Sequence, residues 1–155
     1  MGIKEKVNEL KRGYGTNDPF VLCKELGIWF YIVPLGNVQG HYTYIKRKKV
    51  FFINENLNEV QRNFCCAHEL GHAILHAKSN VYFNNSKTHL LQSKLENEAD
   101  LFASELLLDD NLLQNYQGYS LETISICTGI GIKYLKLKFY KWKLCLYSWA
   151  LWHQP

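Results

Sequence analysis

Apolar positions along the chain recur at two spacings, one helical and one alternating, and these divide it into elements. Ile3, Val7 and Leu10 fall at helical spacing in a charged segment that Gly13-Tyr14-Gly15 interrupts, which predicts a helix over about residues 3–12. Asp18 before Pro19 is a cap followed by proline at the first helical position, so Pro19–Leu26 is expected as a second helix closed by Gly27. Ile28–Val33, His41–Ile45 and Val50–Ile53 are rich in β-branched and aromatic residues. Their short connections, Pro34 to Asn37 and the basic turn Lys46–Lys49, predict an antiparallel meander of three strands. In the middle strand His41, Thr43 and Ile45 face one side, Tyr42 and Tyr44 the other.

The second half reads as helical. Asn56 with Glu59 three residues on resembles a capping box, and the pattern runs on to about Ala77 with Val60, Phe64, Ala67, Gly71 and either Ile74 or Leu75 as its apolar stripe. Gly71 would let another backbone approach closely. Polar Val81–Leu90 is expected as a loop, followed by a helix over about Leu91–Leu108 that Asp109-Asp110-Asn111 ends. After a polar connector, Gln114–Tyr119, Ser120 caps a helix through Cys127, Thr128–Gly131 turns the chain, and Ile132 begins another helix. That outline is a helix–turn–helix. The expected class is α+β, with one domain over residues 1–118 and a helical extension, 119–155, packed on it.

The third helix carries His68-Glu69-Leu70-Gly71-His72, an HExxH motif. Imidazoles at i and i+4 share a helix face and can meet one ion, with Glu69 beside it as a base. Neutral imidazole suits Zn²⁺, and a catalytic zinc keeps three protein ligands, so one more is required. Helical phase selects it. Leu95, Ala99, Phe102 and Leu106 form an apolar face flanked by Glu96 and Asp100, whereas Glu98 groups with Glu105 on the far side. A carboxylate aimed at a core edge is costly unless it binds a metal or partner. Glu96 is therefore the expected third ligand, and Asp100 the expected acceptor for an imidazole N–H. His76 would lie about 12 Å along the helix from His68, too far to share its ion. It is expected to cap, pack or contact a ligand from outside. Cys65 shares the face of His68 but reads as a small buried hydrophobe. His41, Tyr42, Tyr44, His76 and Tyr116 are all candidates to contact substrate or a developing oxyanion.

Composition narrows the setting. Five cysteines are an odd number, and adjacent Cys65 and Cys66 lie inside a helical pattern, which disfavours a secreted disulfide framework. The N-terminus is charged and amphipathic, and no apolar run approaches a membrane span, so a cytoplasmic protein without membrane contact is expected. The net charge of +4 is too mild to require nucleic acid. Lys133, Lys136, Lys138, Lys141 and Lys143 bring charge to the last helices without amide or arginine side chains that read bases. Direct DNA binding is disfavoured. The aromatic tail Trp142–Trp152 fits docking on the domain or on a partner, and the sequence leaves the two open.

Tyr14–Phe20, Asn54, the run AHELGHAILH at 67–76 and ENEADLFASELLL at 96–108 together resemble the ImmA/IrrE family of metallopeptidases, over roughly residues 3–140. The resemblance implies a minimal zincin-like, gluzincin-type domain: a small sheet beside an HExxH helix and a second helix that supplies a glutamate. It implies His68, His72 and Glu96 as zinc ligands and Glu69 as catalytic base. It also implies cleavage of a helix–turn–helix repressor, with derepression of phage or mobile-element genes. The family's usual proline after the leucine pair is replaced here by Asp109, and the aromatic tail has no counterpart. The alternative is a non-catalytic regulatory protein that holds zinc structurally and binds a repressor or DNA through its C-terminal helices. Structural zinc sites are usually closed by four ligands and rich in cysteine, which favours the enzyme.

Overall fold

A computed structural model of the protein describes residues 2–76, 89–116 and 118–139. The aromatic tail and all but the last two residues of the expected Val81–Leu90 loop lie outside them. The order is α1 (Ile3–Tyr14), α2 (Pro19–Glu25), β1 (Trp29–Val33), β2 (Gly40–Ile45), β3 (Lys48–Asn54), α3 (Glu59–Leu75), α4 (His89–Leu107), α5 (Asp110–Gln114) and α6 (Leu121–Thr128). Residues 132–139 are again helical. The fold is α+β.

Local signals act as expected at several ends. Asp18 accepts from the N–H groups of Phe20 and Val21 at the start of α2. Ser120 accepts from Thr123 N at the start of α6. The start of α3 is displaced from the sequence expectation: Asn58 and Gln61 form the capping box, in place of Asn56 and Glu59. The reason is Asn54, whose Oδ1 accepts from Asn56 N and whose carbonyl accepts from Leu57 N, so residues 54–57 form a turn first. The helix stops at Leu75, with His76 as its cap, short of Ala77. The short helix α5 occupies residues expected to end α4 and begin a connector.

The sheet corrects a larger expectation. Its order is β1-β3-β2, with β2 antiparallel to β3 but β1 parallel to it, so it is mixed and not a meander. The β2–β3 hairpin closes through Lys46 and Arg47, both at positive φ (47° and 66°), the backbone of a two-residue primed turn. The β1–β2 connection instead arches over the end of β3. Asn54 holds that arch: its Nδ2 donates to Gly36 O at 2.9 Å and Val38 O at 2.8 Å, and its N–H donates to Gln39 O at 2.8 Å. A buried side-chain amide thereby satisfies loop carbonyls that no strand can reach.

Phe51 and Ile53 of β3, Tyr42 of β2, Phe64 and Leu70 of α3, and Phe102 and Leu106 of α4 share one buried cluster. Helix α3 packs against both the sheet and α4. At the α3–α4 contact a Cβ on Gly71 would lie 3.1 Å from Ala99 Cα and 3.1 Å from Phe102 Cβ, so glycine sets the helix spacing. Ile124, Ile130, Tyr134 and Leu135 join the same cluster, which ties the described residues between 121 and 139 to the body of the protein. Glu105, expected on the outer side of α4 with Glu98, is buried, because Lys138 reaches its carboxylate at 2.8 Å.

Candidate active site

Helix α3 presents His68 and His72 one turn apart, and α4 runs alongside so that Glu96 meets both. The two Nε2 atoms are 3.0 Å apart. Glu96 Oε2 lies 3.2 Å from His68 Nε2, and its Oε1 lies 3.4 Å from His72 Nε2. A tetrahedral ion with ligand bonds near 2.0–2.1 Å spaces its ligand atoms about 3.3 Å apart. The separations, each imidazole to its own carboxylate oxygen, are close to that value, and the three side chains offer ligand atoms within 4.8 Å of one another, a donor set that suits a divalent cation. Among the described residues, His68, His72 and Glu96 are the group of metal-binding side chains that converges in this way.

The rest of the site orients these donors. Asp100, one turn beyond Glu96, accepts from His68 Nδ1 at 2.8 Å, which leaves Nε2 to face His72 and Glu96. Burial alone would lower the basicity of His68, but the hydrogen bonds to Asp100 and Glu96 outweigh it and raise the pKa to about 9. Hydrogen bonds from His68 and His72 hold the Glu96 carboxyl well below the usual range. Burial pushes Asp100 up, and His68 and Lys133 more than reverse this. Glu69 is raised because it is buried, against the opposing pull of His68, His72 and His41. A carboxylate raised by burial is the kind of group that takes and returns a proton near neutrality.

A cavity of about 320 Å³ opens over this constellation. Glu69, His68, His72 and Glu96 line it, with Gly40, His41 and Tyr42 of β2 on one side and Lys133 and Tyr134 on the other. Of the sequence candidates for substrate contact, His41 and Tyr42 therefore border the pocket. Tyr44 lies farther along β2 and is exposed, and Tyr116 stacks edge-on with Tyr119 away from it. His76 caps α3, packs its ring 5.7 Å from that of His72, and lies 3.5 Å from the Glu98 carboxylate. Cys65 is buried at the pocket floor, where burial and nearby Glu69 push its thiol up to about 12 and keep it an inert thiol.

Sequence reasoning missed Gly40, Lys133 and Tyr134. Tyr134 stacks on Phe64 of α3 with ring centroids 4.3 Å apart, and Lys133 Nζ pairs with Asp100 Oδ1 at 2.8 Å. A signal was present: Tyr134, Leu135 and Lys138 form a buried stripe at helical spacing, and a lysine on such a stripe demands an internal carboxylate.

Comparison with known proteins places this geometry. Residues 23–134 match the family described as IrrE N-terminal-like domain, Peptidase_M78, a stretch that takes in every pocket residue named above. The chain is 37% identical over 141 residues to "Uncharacterized immunity region protein 2" of Bacillus phage phi105, with 88% of each chain covered. It is 36% identical over 128 residues to "Metallopeptidase ImmA" of Bacillus subtilis strain 168, covering 80% of this chain and 76% of the relative. No helix of the described residues is long and apolar enough to cross a membrane. A family match over most of the chain, joined to a His-His-Glu cluster on an HExxH helix, leads to one conclusion: the chain belongs to the IrrE N-terminal-like family and is a metallopeptidase of the ImmA type.

Proposed function

We propose that the protein is a zinc-dependent endopeptidase of gluzincin type, acting in the cytoplasm, that cleaves a helix–turn–helix repressor and so derepresses phage or mobile-element genes. The observation that carries the catalytic half is the convergence of His68, His72 and Glu96, with ligand atoms within 4.8 Å of one another, beside buried Glu69. Zinc bound there supplies Lewis acidity toward a peptide carbonyl and lowers the pKa of a water toward about 7. His68, His72 and Glu96 hold the ion, and Asp100 fixes the tautomer and tilt of His68. Glu69 takes the proton of the attacking water and returns it to the leaving amine. His41, Tyr42 and Tyr134 line the cavity and are the groups we assign to meet the carbonyl oxygen as it gains charge.

The repressor half rests on the ImmA/IrrE resemblance and on the printed name of the phage phi105 relative, which assigns that protein to an immunity region. The DNA-binding alternative loses support from the lysines. Lys138 is buried between Glu105 and Asp110, out of reach of a phosphate, and Lys133 is already paired with Asp100. The structural-zinc alternative loses support from the open cavity beside three protein donors. The test is co-expression of a helix–turn–helix repressor, sought among the genes neighbouring this one, with the wild-type chain and with Glu69→Gln. Cleavage by the wild type alone is expected. A repressor left whole by the wild type, or cut equally by both, overturns the proposal.

A further inference from the structure

Asp100 Oδ1 is shared. His68 Nδ1 and Lys133 Nζ both lie 2.8 Å from that single oxygen, so the carboxylate that orients the first histidine is itself held from the other side. Lys133 belongs to the helical segment 132–139, far from the HExxH motif in sequence. Three contacts fix this segment against α4: Lys133 to Asp100, Ser104 Oγ donating to Tyr134 O at 2.8 Å, and Lys138 to Glu105 at 2.8 Å. The two ion pairs advance by five residues on both helices, so the segment runs parallel to α4. The Lys133 ammonium also lies 4.7 Å from the centroid of the Tyr134 ring, which limits where it can swing.

A carboxylate that accepts from a ligating imidazole must keep its own orientation, and a lone carboxylate can rotate about its last bond. A second, charged donor on the same oxygen removes that freedom and balances the negative charge at the edge of the site. We propose that Lys133 is a positioning residue for the metal site, acting through Asp100 to fix His68, so that the C-terminal helical segment sets the strength of metal binding. This rests on the zinc reading above. The pair is half-exposed at the lysine, so its direct contribution to stability is small, and its effect is expected in the ligand geometry instead.

The test is a double-mutant cycle on the full chain, read by zinc affinity in competition with a chromogenic chelator. Lys133→Met should weaken zinc binding about 3- to 10-fold, below the roughly 10- to 100-fold expected of Asp100→Asn, because it acts one contact farther out. Lys133→Arg should restore affinity to within about twofold, since it keeps a charged donor. The double variant Asp100→Asn with Lys133→Met should bind no more weakly than Asp100→Asn alone, because the proposed effect of Lys133 passes through Asp100. Lys133→Gln gives the same reading should the Met variant fold poorly. A Lys133→Met or Lys133→Gln variant with wild-type affinity overturns the proposal, as does a double variant that shows the full product of both losses. A wild-type chain that takes up no zinc overturns the zinc reading together with it, whereas zinc uptake indifferent to Lys133 overturns this inference alone.

Discussion

Gly40, the first residue of β2, is pressed against Glu69: a Cβ built on it would come within 3.0 Å of Glu69 Oε1 and would overlap Cys65 Sγ. The glycine is thus fixed by what stands over it, because its backbone forms one wall of the slot that holds the Glu69 carboxylate. Gly40→Ala should push that carboxylate aside while leaving the histidines in place. Cleavage should fall by about 100-fold, the scale of a misplacement near 1 Å, with zinc uptake unchanged. Adding Cys65→Ala should recover part of the loss. Full activity in Gly40→Ala would refute the close fit.

Two glutamates on α4 differ in what they meet, and this tests the proposed metal site. Glu96 bridges both histidines, whereas Glu98 lies by His76 at 3.5 Å and Lys94 at 4.0 Å. The expected outcome is about one zinc per wild-type chain, most of it lost in Glu96→Ala and retained in Glu98→Ala. Stripping the metal with a chelator should abolish cleavage, and added zinc should restore it. Zinc content measured on the purified variants decides the assignment, and equal loss in both would reject it.

These two sites differ in how far the sequence revealed them. His68, His72, Glu96 and Asp100 were legible because helical periodicity is local: once the apolar stripe is known, the residues beside it are known too. The starts of α2 and α6 followed from the caps at Asp18 and Ser120 in the same local way. The parallel pairing of β1 with β3 was not legible, since alternation identifies strands but not their order. Its cause is the Asn54 side chain arching the 34–39 connection over β3. Gly40 and Lys133 were hidden for a related reason. Each is fixed by a partner more than 20 residues away, and nothing in the flanking sequence records that partner.

Lys138 is the most buried charge of the C-terminal segment, held by Glu105 and Asp110 at 2.8 Å each. Lys138→Met would leave Glu105 buried without its partner, and a loss of about 3–5 kcal/mol is expected. Pairing it with Glu105→Leu should recover most of that, because an apolar pair of similar volume suits a buried position. Thermal melts of the single and double variants check this, and an undiminished Lys138→Met would overturn it. The network also carries a pH dependence. Burial pulls Lys138 down, but Asp110 and Glu105 hold its pKa above 10.5, so its contribution is full below that pH and fades as pH rises past it. The hydrogen bond from Lys138 keeps Asp110 below 3.8, so that contribution is present above pH 3.8 and fades on acidification. Asp110 is half-exposed, and salt should shrink its share.

The outer edge of β2 is the remaining surface beside the cavity, and among the described residues no strand covers it. Gln39 O accepts from Asn54 N, so by alternation Gly40, Tyr42 and Tyr44 turn their N–H and C=O groups away from β3. A substrate segment laid along that edge as an added strand would pass the cavity at Gly40 and reach Tyr44 about 13 Å farther on, at roughly 3.3 Å per residue. Tyr42 is buried against Phe51, so proline there would damage the core, and proline at Thr43 would break the ladder to β3. Tyr44 is exposed, so Tyr44→Pro removes an outward donor at small structural cost. Repressor cleavage should drop about 10-fold or more in Tyr44→Pro, with zinc content and melting temperature near wild type. Tyr44→Ala, which keeps the N–H, should cleave almost normally. Equal cleavage by the proline and alanine variants would show that the substrate does not pair with this edge.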